Sequence, residues 1–197
     1  RWSMYTSTSV PIGHEVTVTP LQMARAYSVF ANGGYRIEPR IVRGILDAGG
    51  RLTWSPPPPA RKRILRQDTA DQVRQALLAA VETGTGTKAR LPGYAVAGKT
   101  GTAQKYDPAL KTYSNHKYLA SFVGVAPARD PRLVVLVMVD EPRGAIYGGS
   151  VAAPSLEVRC TVSLVSTRFQ LASTALTVTT LVRSWSSLST TSSAVAV

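Results

Sequence analysis

The unbroken apolar run from Leu133 to Val139 constrains this chain more than any other feature. A short continuous run rich in β-branched residues reads as a strand buried on both faces. The turn Ala128-Arg129-Asp130-Pro131 joins it to a second apolar stretch, Tyr118 to Ala126, so an antiparallel hairpin is expected. Strand character begins further back, from Tyr94 to Gln104. Upstream the pattern is helical. Thr19-Pro20-Leu21-Gln22 combines a capping-box threonine, a first-turn proline and a glutamine three residues after the cap. Asn32-Gly33-Gly34 ends that helix. A second helix is expected over residues 67–82, where Val73, Leu77, Leu78 and Val81 recur at helical spacing. Between the two, residues 35–54 read as short strands around Asp47-Ala48-Gly49-Gly50, and Pro56 to Pro59 as a surface connector. Strands grouped late behind helices imply an α+β chain, an antiparallel sheet with flanking helices.

Composition narrows the partners. Basic residues outnumber acidic ones 23 to 11 in 197 residues, for a net charge of +12. That balance raises nucleic acid, anionic lipid or an acidic substrate. The cations are scattered, however, apart from Arg61-Lys62-Arg63 and Arg66. Neither zinc-finger spacing nor an aromatic-basic recognition motif accompanies them, so no nucleic-acid partner is expected. The lone Cys160 excludes an internal disulfide and a multi-cysteine metal site. His14-Glu15 opens like the zinc-protease motif, but Val18 stands where its second histidine belongs. No metal and no cofactor are expected. No apolar run reaches the roughly 20 residues of a membrane span. The chain opens at Arg1 without a signal peptide, which suits a fragment whose anchor or export signal lies elsewhere.

Composition shifts sharply after Pro154. Residues 158–197 contain no Gly, Pro, Asp, Glu or Lys, and nearly half are Ser or Thr. Val158, Cys160, Val162 and Leu164 alternate as in a strand, yet no residue supplies a turn. The segment 155–197 reads as frameshifted or vector-derived sequence, or as a natural Ser/Thr-rich tail, and receives no function. The domain assigned to residues 1–154 stands apart from it.

The chemistry rests on Lys99-Thr100-Gly101-Thr102, which admits two readings. Gly93 through Thr100 spells the phosphate-binding loop G-x-x-x-x-G-K-[ST], and Leu133 to Val139 followed by Asp140-Glu141 mimics its magnesium-binding strand. Such a loop must follow a buried strand and open a helix. Here Lys88 to Pro92 precedes it, and Gly101 with Asp107-Pro108 opposes a helix. The second reading places Lys-Thr-Gly on a sheet strand beside a serine acyl-transfer site. An ammonium and two hydroxyls can hold the free carboxylate of a D-Ala-D-Ala peptide. Gly101 lets the peptide lie close along the strand, and a backbone N–H there can face a developing oxyanion.

Several blocks in order resemble class B penicillin-binding proteins. They are Val10 to Ala24, Asn32-Gly33-Gly34, Val81 to Thr87, Val96 to Ala103, Ser121 to Pro127, Val139-Asp140-Glu141-Pro142, Tyr147-Gly148-Gly149 and Ala152-Ala153-Pro154. The resemblance covers about residues 8–154. It implies part of a penicillin-binding protein/serine β-lactamase-like transpeptidase fold and a D,D-transpeptidase that cross-links peptidoglycan stem peptides through a serine acyl-enzyme. β-Lactams are its implied inhibitors, other cell-wall synthesis proteins its partners, and the outer face of the cytoplasmic membrane its location. By this resemblance Lys99 supports the active-site hydrogen-bond network. Thr100, Gly101 and Thr102 bind substrate, and the Thr102 N–H serves the oxyanion. Tyr147, Gly148 and Gly149 line one side of the cleft.

The chain departs from the family in one respect that bears on activity. The residues before Lys99 contain neither S-x-x-K nor S-x-N. Ser114-Asn115-His116-Lys117 spells S-x-x-K, but it follows Lys99 in a polar stretch between two strands. The nucleophilic serine is therefore expected to be absent and the chain inactive alone. A non-catalytic sensor or muropeptide-binding module is the alternative. The family's closing helix also falls where the tail begins; without it the apolar sheet would lie open.

Overall fold

The computed structural model describes residues 4, 6–13, 16–40, 42–156, 177–184 and 191–196, the last two segments as backbone. His14, Glu15 and the alternating residues Val158 to Leu164 lie outside the described residues. In chain order the elements are α1 (Thr6–Ser9), α2 (Pro20–Ala31), β1 (Tyr35–Ile37), β2 (Ile45–Leu46), β3 (Leu52–Trp54), β4 (Arg61–Arg63) and α3 (Gln67–Glu82). Then follow β5 (Ala97–Asp107), β6 (Thr112–Ala126), β7 (Leu133–Asp140), α4 (Gly148–Val151), β8 (Thr177–Ser184) and β9 (Thr191–Ala196).

Local chemistry accounts for the helices. The Thr19 hydroxyl accepts from Gln22 N at 3.2 Å, and the Gln22 side chain accepts from Thr19 N at 2.8 Å. Two otherwise unpaired main-chain donors are thereby satisfied at the start of α2. β2 and β3 pair around the Asp47 turn as expected. The basic cluster Arg61-Lys62-Arg63 forms β4, a strand absent from the sequence reading, and pairs with β1. There the Arg61 and Arg63 guanidiniums lie over the Tyr35 ring at 4.8 and 4.1 Å, so part of the cluster packs on protein.

The main sheet has the order β5-β6-β7-β8-β9. β5/β6, β6/β7 and β8/β9 are antiparallel, whereas β7/β8 is parallel. β5 and β6 run further than expected, pairing as far as Asp107 with Thr112. The polar stretch around Ser114 is thus part of a strand rather than a connector. β8 and β9 fall within the tail segment.

β7 is buried on both faces, as its composition predicts. On one side Val134 and Leu136 join Ala97, Val123 and Val125 beneath Ala24 of α2 and Leu77 of α3. On the other, Val135 and Val137 join Phe122 against Val81, Ala152, Ala153 and Leu156. The sheet is therefore covered at β6 and β7, and the open face feared from the sequence is not found there. Glycines set the fit of the second layer. A Cβ on Gly98 would lie 2.5 Å from the Phe122 ring, and one on Gly124 2.9 Å from Leu156. Phe122, fully buried, fills the slot that Gly98 leaves. Phe122→Ala is expected to cost about 3–5 kcal/mol, measured by urea unfolding followed by circular dichroism.

Candidate active site

β5 is the outer strand of the main sheet and carries Lys99-Thr100-Gly101-Thr102. Its register sets Thr100 against Phe122 and Thr102 against Ala120. Alternation therefore places both threonines on the face covered by α4 and the Phe122 layer. No helix opens after Lys99, so the phosphate-loop spelling has no helix N-terminus on which to seat a phosphate.

Two glycine-rich turns converge on this face. After α3, Thr83 N donates to Ala79 O and Gly86 N to Ala80 O, each at 2.9 Å. A Cβ at Gly84 or Gly86 would meet Ala80 O at about 3 Å, so both glycines let the chain fold back onto the helix end. That fold brings the Thr85 hydroxyl to 2.9 Å from the Thr100 hydroxyl. The second turn enters α4. Gly148 N donates to Thr102 Oγ1 at 3.1 Å, and Gly148 sits so close to the carbonyls of Gly101 and Ser121 that a Cβ would strike both. Gly149 approaches Thr85 O in the same way, linking the two turns.

Between them lies a cavity of about 280 Å³, bounded by Thr85, Thr87, Lys88, Thr100 and Thr102 together with residues 147–150. The Thr102 hydroxyl is prepared to donate. Thr102 Oγ1 accepts from Gly148 N, which leaves its own proton available. Thr100 Oγ1 receives the Lys99 ammonium at 3.5 Å, while that ammonium donates mainly to Thr100 O at 2.8 Å. Among the described residues no carboxylate lines the cavity. Such a surface suits an anion with several acceptor oxygens. Among the described residues no His/Cys/Asp/Glu cluster could hold a metal ion.

The structure thus brings together Thr100, Gly101, Thr102, Tyr147, Gly148 and Gly149. Lys99 stands beside them on the strand and does not border the cavity. Ser114 and Lys117 stand apart from this group on β6. The Ser114 hydroxyl accepts from His116 N and Lys117 N, each at 3.1 Å, and Lys117 lies 3.9 Å from Asp107. They do not form a serine–lysine pair on a helix. Sequence reasoning missed Thr85, Thr87, Lys88 and Ser150 as cavity residues, although a threonine between two glycines after a helix was a visible signal.

It also missed an ionic clamp at the far end of β5. Lys105 reaches across β6 to Asp140 at 2.9 Å and Glu141 at 2.8 Å, beside the register shift that follows Gln104. Hydrogen bonds that the Lys105 ammonium donates to Glu141 first, then to Asp140, hold it above the ordinary lysine range. Because the folded value is raised, the contribution is present at neutral pH and is lost only as pH rises through that raised value. Lys105 is 35% exposed, so water screens the clamp.

The penicillin-binding-protein transpeptidase-domain family matches residues 1–158. Stage V sporulation protein D of Bacillus subtilis is 44% identical over 144 residues, 72% of this chain and 22% of that protein. PbpB of Mycolicibacterium smegmatis is 39% identical over 163 residues, 78% of this chain and 25% of that protein. The chain spans about a quarter of the length of these curated relatives. Among solved structures, penicillin-binding protein 3 of Mycobacterium tuberculosis complexed with aztreonam superposes with a TM-score of 0.74 at 34% identity. That match covers 88% of this chain and 40% of the other. The ampicillin complex gives 0.72 at 35% identity, covering 87% and 39%.

Two outcomes are expected from this geometry. Gly148→Ala drives the turn off Gly101 and frees the Thr102 hydroxyl, seen as a shift of the Gly149 and Thr102 amide resonances with the core resonances unmoved. Lys105→Met lowers unfolding stability by at most about 1 kcal/mol in dilute buffer, and thermal melts show the gap closing in about 1 M salt.

Proposed function

The chain belongs to the penicillin-binding-protein transpeptidase family, and we propose that residues 1–154 form the substrate-binding wall of a peptidoglycan D,D-transpeptidase. The observation that carries this reading is the outer strand β5, whose Thr100 and Thr102 hydroxyls face a cavity without a carboxylate among the described residues. A stem peptide ending in D-Ala-D-Ala lies along β5 as an added strand, with Gly101 permitting close approach. Its terminal carboxylate takes the protons of Thr100 and Thr102. The Tyr147-Gly148-Gly149 turn closes one side, and Lys99 supports the hydrogen-bond network at the strand.

In the proposed reaction a serine oxygen attacks the carbonyl carbon of the penultimate D-Ala. The oxyanion forms against the Thr102 N–H. The C–N bond to the terminal D-Ala then breaks, and the departing amine takes a proton. An amine of a second stem peptide attacks the resulting ester, releasing the serine and completing the cross-link. β-Lactams follow the first half of this path.

This chain supplies recognition and electrostatics, while the acylated serine comes from outside residues 1–197, because no S-x-x-K precedes Lys99. The whole protein then works at the outer face of the cytoplasmic membrane with other cell-wall synthesis proteins and needs no cofactor. Among the described residues no helix is long and apolar enough to cross a membrane.

Fluorescent penicillin tests both halves. The 197-residue chain is expected to show no covalent label on a denaturing gel, and a labelled band would place a nucleophile within it. Residues 1–154 grafted into a mycobacterial relative, in place of its equivalent segment, are expected to restore labelling at that relative's serine. A folded graft that stays unlabelled overturns the transpeptidase reading.

A further inference from the structure

The cavity beside β5 has its own cation, and it is not the lysine of the Lys-Thr-Gly motif. Lys99 turns its ammonium onto the Thr100 carbonyl oxygen at 2.8 Å and is not among the lining residues. Lys88 is. It sits in the 3-10 turn Thr87–Ala89 that follows the glycine-rich loop. Ala89, almost fully buried, anchors that turn in the Phe122 layer. The Thr85–Thr100 bond ties the preceding loop to β5, so Lys88 borders the same cavity as Thr100 and Thr102. Among the described residues no carboxylate pairs with Lys88. The neighbouring Arg90 is differently employed, its guanidinium donating to the carbonyls of Val81 and Glu82.

We propose that Lys88 is the counter-charge for the substrate's terminal carboxylate, and that it sets the preference for a free C-terminus. The inference rests on the transpeptidase reading and deepens it. Two threonine hydroxyls supply directed hydrogen bonds but no net charge, so alone they would accept a terminal amide with little loss. An ammonium bordering a cavity of about 280 Å³ distinguishes the two, because it favours the anion and gains little from a neutral amide carbonyl. Thr85 serves as a positioning residue, orienting the Thr100 hydroxyl by their 2.9 Å contact.

The test is a two-dimensional NMR titration of the isotope-labelled 197-residue chain. The ligands are an acetylated tripeptide ending in D-Ala-D-Ala and the same peptide as its C-terminal amide, both at millimolar concentration. The wild-type chain is expected to bind the acid about five- to tenfold more tightly than the amide, the difference expected of a charge-assisted contact, and to lose that preference as salt rises. Lys88→Gln is expected to bind both alike, weakly, with its core resonances in place, while Lys88→Arg keeps the preference. An unchanged acid preference in a folded Lys88→Gln variant overturns the role of Lys88 and leaves the transpeptidase reading standing. Failure of the wild-type chain to bind either peptide overturns both.

Discussion

The seat of Gly148 against the carbonyls of Gly101 and Ser121 is the contact on which the site depends. It needs two things at once: no side chain at 148, and β6 in register beside β5. From that seat the Gly148 N–H reaches Thr102, Gly149 meets the Thr85 loop, and the cavity acquires walls. Nothing in the contact is strongly energetic by itself. Its effect comes from exclusion, since any side chain there separates a main-chain donor from its acceptor.

The electrostatic character of the cavity follows from how its hydroxyls are loaded. Each cavity-facing threonine oxygen has a neighbouring donor, an amide for Thr102 and an ammonium for Thr100. A hydroxyl whose oxygen is already accepting is oriented to give its proton away. With no acid among the described residues of the walls, the cavity presents donors to whatever enters. Among the described lining residues Lys88 is the cation, and several of the molecule's other cations are engaged elsewhere. Arg61 and Arg63 lie on Tyr35, and Lys105 lies on Asp140 and Glu141.

Much of this architecture was legible in the residues. The capping box at Thr19, the helix over 67–82 and the two-faced strand at Leu133 carry local signals strong enough to survive packing. The Lys-Thr-Gly strand was legible through its context, because Gly101 and Asp107-Pro108 argue against a helix. The register shift after Gln104 and the full length of the β5/β6 hairpin were not. Polar residues such as Ser114 and Asn115 look like a connector, and only cross-strand pairing makes them strand. β4 was hidden for a similar reason: an Arg-Lys-Arg triplet has no apolar alternation, and its strand exists through pairing with β1 and contact with Tyr35. Thr85 was visible only as part of a block without a role, and Lys88 only as a residue leading to the strand. Their part in the cavity depends on a turn folding back onto α3, which no periodicity encodes.

The placement of the Lys99 ammonium on the Thr100 carbonyl has a consequence for the molecule's behaviour towards copies of itself. An outer strand with unpaired main-chain groups is a template for any extended segment, including the same strand of a neighbour. A lysine lying along that strand acts as a guard, because a second copy brings only another ammonium to meet it. The same ammonium that rests on the strand's own carbonyl thus also works against the strand's pairing with its own kind.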